Sequence, residues 1–285
     1  MSETQATTIL SRRFPAKRAF VTGAASGLGR AIATEFAAAG WQLGLFDLSA
    51  PRLAEAEAAL RSAGAVTFTY AGDVANEAVV ASSVADFVQR AGGLDVMINN
   101  AGVAVAGPAE GIPPADWRWI TDINLFGVVW GCQAAVPHLR AAGTGLLLNI
   151  ASSAGFAAAP QMSAYNATKA AVISLTENVA AELEGSGVQA SVAMPGFFST
   201  HLLSTMRAPP DQRAMAMRIM ESSGEDATSA ARAILGAAAD GKLHIVWPDK
   251  YRLAWRLKRL FPDWFVRRVA NLRDRKLPGA NPPPG

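Results

Sequence analysis

KRAFVTGAASGLGRAIATEFAAAG, residues 17–40, contains an apolar run, a glycine-rich loop and an amphipathic segment in immediate succession. Residues 17–22 predict a short buried strand, and residues 30–39 predict a helix that ends at Gly40. The loop between them carries three glycines, which permit a tight turn and a close approach of the backbone: Gly23, Gly27 and Gly29. A helix that opens after such a turn offers unpaired N–H groups and a positive end to an anion. The stretch therefore predicts either a phosphate-binding loop or a turn that serves packing alone.

Apolar runs and helical segments alternate through the rest of the chain. Further strands are predicted at residues 41–46, 66–70, 94–98, 145–151, 188–194 and 243–246. Helices are predicted at residues 51–63, 77–91, 116–136 and 164–180. Strands that alternate with helices of this length favour right-handed crossovers and a parallel sheet. We therefore predict an α/β fold of the Rossmann type, a doubly wound parallel sheet of seven strands with helices on both faces.

The composition indicates a folded chain with a large core. Of its 285 residues, 51% are hydrophobic and 17% charged, which also favours contacts between subunits. Its single cysteine, Cys132, cannot form an internal disulfide, and the N-terminus lacks the basic start and apolar run of a signal peptide. Both observations favour a cytoplasmic protein. The long uncharged stretches at 123–139 and 141–168 are interrupted by polar residues, which indicates buried or interface segments rather than membrane spans.

Asp47 ends the predicted strand at 41–46 and lies 18 residues beyond Gly29. A carboxylate at this place accepts hydrogen bonds from the ribose hydroxyls of a bound dinucleotide and repels a 2′-phosphate. This position predicts NAD rather than NADP. The alternative is that Asp47 only caps the helix predicted at 51–63.

Tyr165 and Lys169 stand four residues apart in a predicted helix, so both side chains leave the same face one turn apart. A tyrosine carries protons near neutrality only if its pKa falls by roughly 2 to 3 units, which is about 3 to 4 kcal/mol. A lysine charge at about 4 Å supplies about 4 kcal/mol in a partly desolvated site. Ser152 follows the strand at 145–151, where active-site residues collect. These residues predict a proton-transferring tyrosine, or else an ordinary solvated helix face.

Together these residues resemble the short-chain dehydrogenase/reductase family in its compact single-domain branch. The resemblance spans residues 16–248 and rests on seven motifs in the family's order: Thr22-Gly-x-x-x-Gly-x-Gly29, Asp73, Asn99-Asn-Ala-Gly102, Asn124, Ser152, Tyr165-x-x-x-Lys169, and Pro195-Gly196 with Thr200. It implies an NAD(P)-dependent oxidoreductase that transfers hydride between nicotinamide and a hydrophobic secondary alcohol or its ketone. It also implies a homodimer or homotetramer.

The resemblance implies a role for each matched residue. Tyr165 would be the catalytic acid/base, Ser152 would hydrogen-bond the substrate oxygen, and Lys169 would lower the tyrosine pKa and hold the nicotinamide ribose. Asn124 would bend its helix and anchor a water in the proton relay. The other matched positions would bind the cofactor: Gly23, Ser26, Gly27, Leu28, Gly29, Asp47, Asp73, Val74, Asn100, Ala101, Gly102, Pro195, Gly196 and Thr200. No metal site is predicted, since the histidines lack a ligand spacing: His138, His201 and His244.

Two positions depart from the pattern of relatives that bind NADP. Ser26 stands before the second loop glycine, where a basic residue is common, and Leu48 follows Asp47. The 2′-phosphate of NADP thus lacks its usual partners, although Arg30 and Arg52 could still reach it. NAD is the predicted cofactor, and NADP is the less favoured one.

Residues 201–224 and the tail beyond Trp247 change in character. The first segment contains two prolines and four methionines, which predicts an apolar lid over the substrate or else ordinary helix core. Residues 249–277 hold ten Lys or Arg and three Asp, a net charge of +7. Their two amphipathic pieces meet at Pro262 and predict a membrane-surface foot, or else a helix pair packed on the core or on a neighbouring subunit.

The predicted organisation has three parts. Residues 1–15 form an N-terminal extension, residues 16–248 a dinucleotide-binding catalytic domain that includes the lid, and residues 249–285 a basic amphipathic extension. One alternative function is a cofactor-binding sensor or scaffold without turnover, which the presence of Asn124, Ser152, Tyr165 and Lys169 disfavours. The other is a membrane-surface dehydrogenase that acts on a lipid or steroid. Nucleic-acid binding is not predicted, because the basic tail has no groove-reading motif.

Overall fold

The computed structural model of the chain describes residues 3–199 and 201–276. Its centre is a seven-stranded parallel sheet in the order β3-β2-β1-β4-β5-β6-β7. The strands are β1 Arg18–Thr22, β2 Gln42–Asp47, β3 Val66–Ala71, β4 Val96–Asn99, β5 Gly145–Ile150, β6 Val188–Pro195 and β7 His244–Trp247. The strand order reverses between β1 and β4, and ligands of such sheets bind in the crevice at that point.

Helices cover both faces of the sheet, as predicted. They are α1 Glu3–Arg13, α2 Gly27–Ala38, α3 Ala50–Ser62, α4 Glu77–Ala91, α5 Pro114–Thr121, α6 Gly127–Ala142, α7 Ala154–Ala157, α8 Ser163–Glu182, α9 Pro210–Glu221, α10 Ala227–Ala239, α11 Lys250–Leu260 and α12 Pro262–Lys276. One hydrophobic cluster joins the sheet to α1, α2, α3 and α10, and a second joins its other face to α4, α6, α8 and α11. The predicted doubly wound fold is confirmed.

The segment predicted as one helix over 116–136 is divided. Helix α5 ends at Thr121, the π-helical turn Asp122–Phe126 follows, and α6 begins at Gly127. The apolar periodicity continues across this break, so the sequence pattern alone did not reveal it. Asn124 lies fully buried within the π turn, and such turns are frequent at functional sites.

Helices α1 and α11, near the two ends of the described chain, pack on the sheet domain. Helix α1 lies against α10 and buries Leu10 and Phe14 in the first hydrophobic cluster. Ser11 Oγ accepts a hydrogen bond of 2.9 Å from Trp41 Nε1. Helix α11 contacts β7 and α7. The domain boundaries at 16 and 248 stay a prediction, but α1 and α11 share the hydrophobic clusters of the sheet domain.

Candidate active site

A cavity of about 320 Å³ lies at the carboxyl ends of the strands. Its walls come from the loops after β1, β2, β3, β4, β5 and β6, from residues 202–206 and from α8, α9 and α11. Most of the predicted site residues line it: Gly23, Ser26, Gly27, Leu28, Asp47, Asp73, Val74, Asn100, Ala101, Gly102, Ser152, Tyr165, Lys169, Pro195 and Gly196. Gly29 and Asn124 stand behind this wall, and Thr200 lies outside the described residues.

The glycine loop is shaped by close approaches of backbone. Gly23 has φ +65°, and a Cβ there would lie 2.9 Å from Ala101 Cα. A Cβ on Gly29 would lie 2.2 Å from Gly23 O, so this glycine serves packing inside the protein. Helix α2 begins at Gly27, three residues before the predicted start, and its N-cap Ser26 makes no side-chain capping bond. The first N–H groups of α2 therefore remain available to an anion.

Asn100 holds the glycine loop in place. Its Nδ2 donates to Thr22 O at 2.9 Å and to Gly23 O at 3.2 Å. Thr22 Oγ1 in turn accepts hydrogen bonds from the N–H groups of Asn100 and Ala101. The amide nitrogen of Asn100 is thus committed to the loop backbone, so this residue supports the cavity wall as well as bordering the cavity.

Asp47 points its carboxylate at two backbone N–H groups. Oδ2 accepts from Ala25 N and Oδ1 from Ser49 N, both at 3.0 Å. The N-cap of α3 is Ser49, so Asp47 is not the cap of this helix. Each carboxylate oxygen keeps a further lone pair for a ligand hydroxyl.

The two arginines that could meet a 2′-phosphate lie in different places. Arg52 lines the main cavity, whereas Arg30 lines a separate cavity of about 430 Å³. Leu48 is 70% exposed at the edge of the main cavity and contributes no charge. Arg52 is therefore the one of the two arginines placed to compete with the negative charge of Asp47.

Asp73 and Val74 follow β3. Asp73 Oδ1 accepts from Ala75 N at 2.9 Å, which shapes the turn before α4. Val74 is buried, and a Cβ on Gly127 would lie 2.9 Å from its side chain. Both residues border the cavity beyond the carboxyl end of β3, which is the strand next to β2 and Asp47.

Tyr165 and Lys169 are buried near the start of α8. The tyrosine is 7% exposed and the lysine 4%. Lys169 Nζ donates to Ile150 O at 2.9 Å and lies 5.8 Å from the centroid of the Tyr165 ring. Ser152, from the loop after β5, contributes a hydrogen bond to Tyr165. The three side chains thus converge as their sequence positions predict.

The sequence predicts that the charge of Lys169 lowers the pKa of Tyr165, but burial has the larger effect. It raises the pKa of Tyr165 to about 12, while the hydrogen bond with Ser152 acts in the opposite direction. Burial also lowers the pKa of Lys169 to about 8. Desolvation opposes the charged form of each group. The Tyr165 phenol therefore keeps its proton at neutral pH.

Asn124 joins the π turn to the loop after β4. Its Oδ1 accepts from Val103 N at 2.8 Å, and its Nδ2 donates to Val103 O at 2.9 Å. A Cβ on Gly102 would lie 3.2 Å from Asn124 Oδ1 and 3.4 Å from Lys169 Nζ. Gly102 therefore stands between these two polar groups, and its missing side chain keeps the space beside Lys169 open.

Pro195 and Gly196 close the site from β6. Ser152 Oγ approaches Pro195 O at 3.4 Å, and Gly196 N donates to Trp247 O at 2.7 Å. A Cβ on Gly196 would lie 2.3 Å from the ring of Tyr251. Tyr251 lines the cavity from the first turn of α11.

Sequence reasoning missed Tyr251, because it considered only the basic and amphipathic character of the tail. A signal was present: Tyr251, Ala254 and Trp255 follow the i, i+3, i+4 spacing of a buried helix face. These three side chains pack against the second hydrophobic cluster.

The region beside Tyr165 is apolar. A third hydrophobic cluster contains Tyr165, Val105 and Met206, and partly buried side chains of residues 202, 203 and 216 pack against it. Seven residues of the predicted lid, 201–224, line the cavity: Leu202, Leu203, Ser204, Thr205 and Met206, and from α9 Ala216 and Met220. No group of metal-ligating side chains occurs in the part of the chain that the structure describes.

Known proteins resemble this chain in sequence and fold. A family model described as short chain dehydrogenase matches residues 17–211. The 2-(R)-hydroxypropyl-CoM dehydrogenase of Xanthobacter autotrophicus is 34% identical over 232 residues, which are 80% of this chain and 93% of that protein. The levodione reductase of Leifsonia aquatica is 34% identical over 201 residues, which are 70% of this chain and 75% of that protein.

A solved structure of a short chain dehydrogenase/reductase from Burkholderia phymatum in complex with NAD matches with a TM-score of 0.82 and 28% identity. The match covers 93% of this chain and 97% of that one. The family model and the 34% identical relative together show that this protein belongs to the short-chain dehydrogenase/reductase family of oxidoreductases.

Proposed function

We propose that the protein is an NAD-dependent dehydrogenase or ketone reductase that interconverts a hydrophobic secondary alcohol and its ketone. The observation that carries this proposal is the convergence of Ser152, Tyr165 and Lys169 on a cavity that also reaches the glycine loop and Asp47. A proton-transferring group and a dinucleotide cradle are the two parts that such a reaction needs.

The cavity residues fit a dinucleotide. The uncapped first turn of α2 suits a pyrophosphate, and Gly23 leaves room that a side chain would fill. Asp47 stands at the end of the neighbouring strand, where it would accept hydrogen bonds from the adenosine ribose. Lys169 would hold the second ribose beside Gly102. The cofactor, when bound, supplies hydride transfer at its nicotinamide ring.

NAD is favoured over NADP by the charge around the adenosine side of the cavity. Asp47 offers a carboxylate there, and Leu48 offers no cation. Arg52 is the basic side chain of this wall. It lines the same cavity as the Asp47 carboxylate, which would repel the 2′-phosphate of NADP. The NAD complex of the Burkholderia phymatum protein is consistent with this preference.

Tyr165 and Ser152 carry the proton chemistry. In the reducing direction Tyr165 donates its phenolic proton to the ketone oxygen as the carbonyl carbon gains hydride, which gives the alcohol and a phenolate. The Ser152 hydroxyl stabilises the negative charge that develops on that oxygen. In the oxidising direction the phenolate takes the alcohol proton, and the Lys169 ammonium favours that charged state of the tyrosine.

The apolar wall beside Tyr165 selects the substrate class. Met206 and the partly buried Val103 and Leu202 line the cavity and belong to the hydrophobic cluster around Tyr165, so the reacting carbon would lie beside them. Methionine adapts to irregular apolar shapes, so the wall suits a hydrophobic group on the carbinol carbon. A homodimer or homotetramer remains a prediction.

The test is a panel of secondary alcohols and ketones assayed with NAD and with NADP by absorbance of the reduced nicotinamide. We predict that Tyr165→Phe lowers turnover by at least about a hundredfold, because general acid–base catalysis is lost. NAD affinity should stay nearly unchanged. Tyr70→Phe is the matched control, since Tyr70 bonds Asp86 and lies outside the cavity lining. Comparable turnover in the Tyr165 variant would refute the proposed mechanism, and NAD binding without turnover in the wild type would favour the sensor hypothesis.

A further inference from the structure

Helix α11 presents different side chains to the protein and to solvent. Tyr251, Ala254 and Trp255 pack against the second hydrophobic cluster. Leu253 and Leu260, seven residues apart on the other side of the helix, are 65% and 69% exposed. Leu253 and Leu260 are therefore left uncovered, although the helix itself is docked on the core.

The junction with α12 and α12 itself also carry uncovered apolar side chains. Phe261, at the junction of the two helices, is 56% exposed, and Trp264 and Val266 are 53% and 45% exposed. We define the C-terminal patch as these three residues together with Leu253 and Leu260. Eleven large apolar side chains are exposed in the described part of the chain, and these five fall within 14 consecutive residues. Such a concentration marks an interaction surface.

The C-terminal patch is surrounded by positive charge. Seven basic side chains lie within residues 249–271: Lys250, Arg252, Arg256, Lys258, Arg259, Arg267 and Arg268. The same range has two acidic ones, Asp249 and Asp263, which leaves a net charge of +5. Asp249 pairs with Arg252 at 3.1 Å. Among the residues that the structure describes, Arg256, Arg267 and Arg268 have no ion-pair partner.

We propose that the C-terminal patch docks on the surface of an anionic lipid membrane. Anionic headgroups would provide negatively charged partners for the unpaired arginines. Trp, Phe and Leu side chains suit the boundary between headgroups and acyl chains. No helix of the described chain is long and apolar enough to cross a bilayer. The helices would therefore lie in the plane of the interface.

A second copy of the chain is the less favoured occupant. A twofold interface through this surface would bring two identical patches together. Residues 249–271 of each copy carry a net charge of +5, and like charges that face each other across an interface oppose association. Charge complementarity thus distinguishes the two occupants in favour of lipid.

The docking surface and the cavity share one helix. Tyr251 lines the cavity from the same helix that carries Leu253 and Leu260. An enzyme docked on the membrane could then take up a hydrophobic substrate that is dissolved in that membrane. This consequence rests on the proposed function. Binding to lipid itself does not depend on turnover, so the two proposals can fail separately.

The test is flotation of the full chain with vesicles of neutral phosphatidylcholine and with vesicles that also contain an anionic phospholipid. We expect binding to the anionic vesicles only, and release at high salt because the charges become screened. The triple variant Arg256→Gln/Arg267→Gln/Arg268→Gln should bind on the order of a hundredfold more weakly, since each basic residue contributes about fivefold. Leu260→Ser/Trp264→Ser should also lose binding.

Matched controls carry the same chemical changes elsewhere. Arg61→Gln/Arg90→Gln/Arg140→Gln removes the same charge from helices on other parts of the surface. Val66→Ser removes an exposed apolar side chain from β3. Both controls should float like the wild type, and thermal melts verify that every variant is folded.

Three results would overturn the proposal. The first is a wild type that does not float with anionic vesicles. The second is an equal loss of binding in the control variants. The third is a wild-type dimer, seen by sedimentation velocity without lipid, that Leu260→Ser/Trp264→Ser converts to a monomer, because the C-terminal patch would then be covered by a second copy.

Discussion

At the residue level, burial determines the protonation of the site. It raises the pKa of Tyr165 to about 12 and lowers the pKa of Lys169 to about 8. Near neutrality the tyrosine therefore keeps its proton, and the lysine is close to losing its own. Under the proposed mechanism this balance would favour ketone reduction at neutral pH, and we predict that alcohol oxidation becomes faster as the pH rises.

The lowered pKa of Lys169 predicts a pH-dependent stability. An unfolded lysine has a pKa of about 10.4, so between about pH 8 and pH 10.4 the unfolded chain binds more protons than the folded one. The free energy of unfolding of the wild type should thus rise with pH in this window relative to Lys169→Met. The full difference is on the order of 3 kcal/mol.

Urea unfolding of both proteins at several pH values measures this difference. The Met variant keeps a long apolar chain but loses the hydrogen bond to Ile150 O, which shifts its stability by the same amount at every pH. A difference between the two proteins that stays constant from pH 7 to pH 10 would show that Lys169 is not destabilised by burial.

Asp47 predicts a change of cofactor preference. Asp47→Asn removes the negative charge and keeps an amide oxygen that can accept one of the two backbone hydrogen bonds. Loss of a repulsion of about 1 to 3 kcal/mol should move the ratio of kcat/KM for NAD and NADP about tenfold to a hundredfold toward NADP. Asp73→Asn is the control at the adjacent wall. A wild type that already prefers NADP would contradict the role assigned to Asp47.

At the level of elements, the strands and most helices could be predicted, because apolar runs and 3.6-residue periodicity record burial directly. Helix α4, predicted at 77–91, has these same bounds in the structure. The π turn at Asn124 could not be predicted from periodicity, since it is caused by hydrogen bonds with Val103, which is 21 residues away. Contacts of this kind are properties of the tertiary structure.

Helix α9 is the element best suited to move over the cavity. Within the described chain it has no buried residue, whereas Met206 just before it is 2% exposed. Arg207 fixes the start of the segment: it pairs with Asp116 at 2.7 Å, and its backbone exchanges hydrogen bonds of 3.0 Å with Ala104 and Ala106. Residues 206–207 are therefore anchored, and α9, whose Gln212 donates a hydrogen bond of 2.8 Å to Gln161, is the part that we predict to move.

We predict that amide hydrogens of α9 exchange rapidly in the apo protein and slow down when cofactor and substrate bind. Met220→Ala should change the ranking of substrates more than the melting temperature, because Met220 lines the cavity. Met217→Ala is the control, since Met217 is 47% exposed and outside the cavity lining. Protection of α9 already present in the apo protein would contradict the lid.

At the level of the whole molecule, the site is assembled from loops spread along the sheet edge and from the tail. The sequence predicted that the loops contribute to the site, because the glycine loop, Ser152 and Tyr165 each belong to a recognisable sequence motif. The contribution of Tyr251 depends on how α11 docks against β7, which no local pattern records. Helix α11 thus contributes to the same cavity as the loops of the sheet domain.

The contact between Gly196 and Tyr251 gives a test of this contribution. A Cβ on Gly196 would lie 2.3 Å from the tyrosine ring, so Gly196→Ala should displace α11, lower the melting temperature and weaken turnover. Tyr251→Ala removes the ring and should rescue much of that loss in the double variant, which gives a coupling energy of about 0.5 to 3 kcal/mol in a double-mutant cycle. Tyr251→Phe keeps the ring and should not rescue. If the effects of Gly196→Ala and Tyr251→Ala simply add, the tail does not press on the site, and α11 would be a neighbour of the cavity rather than part of its wall.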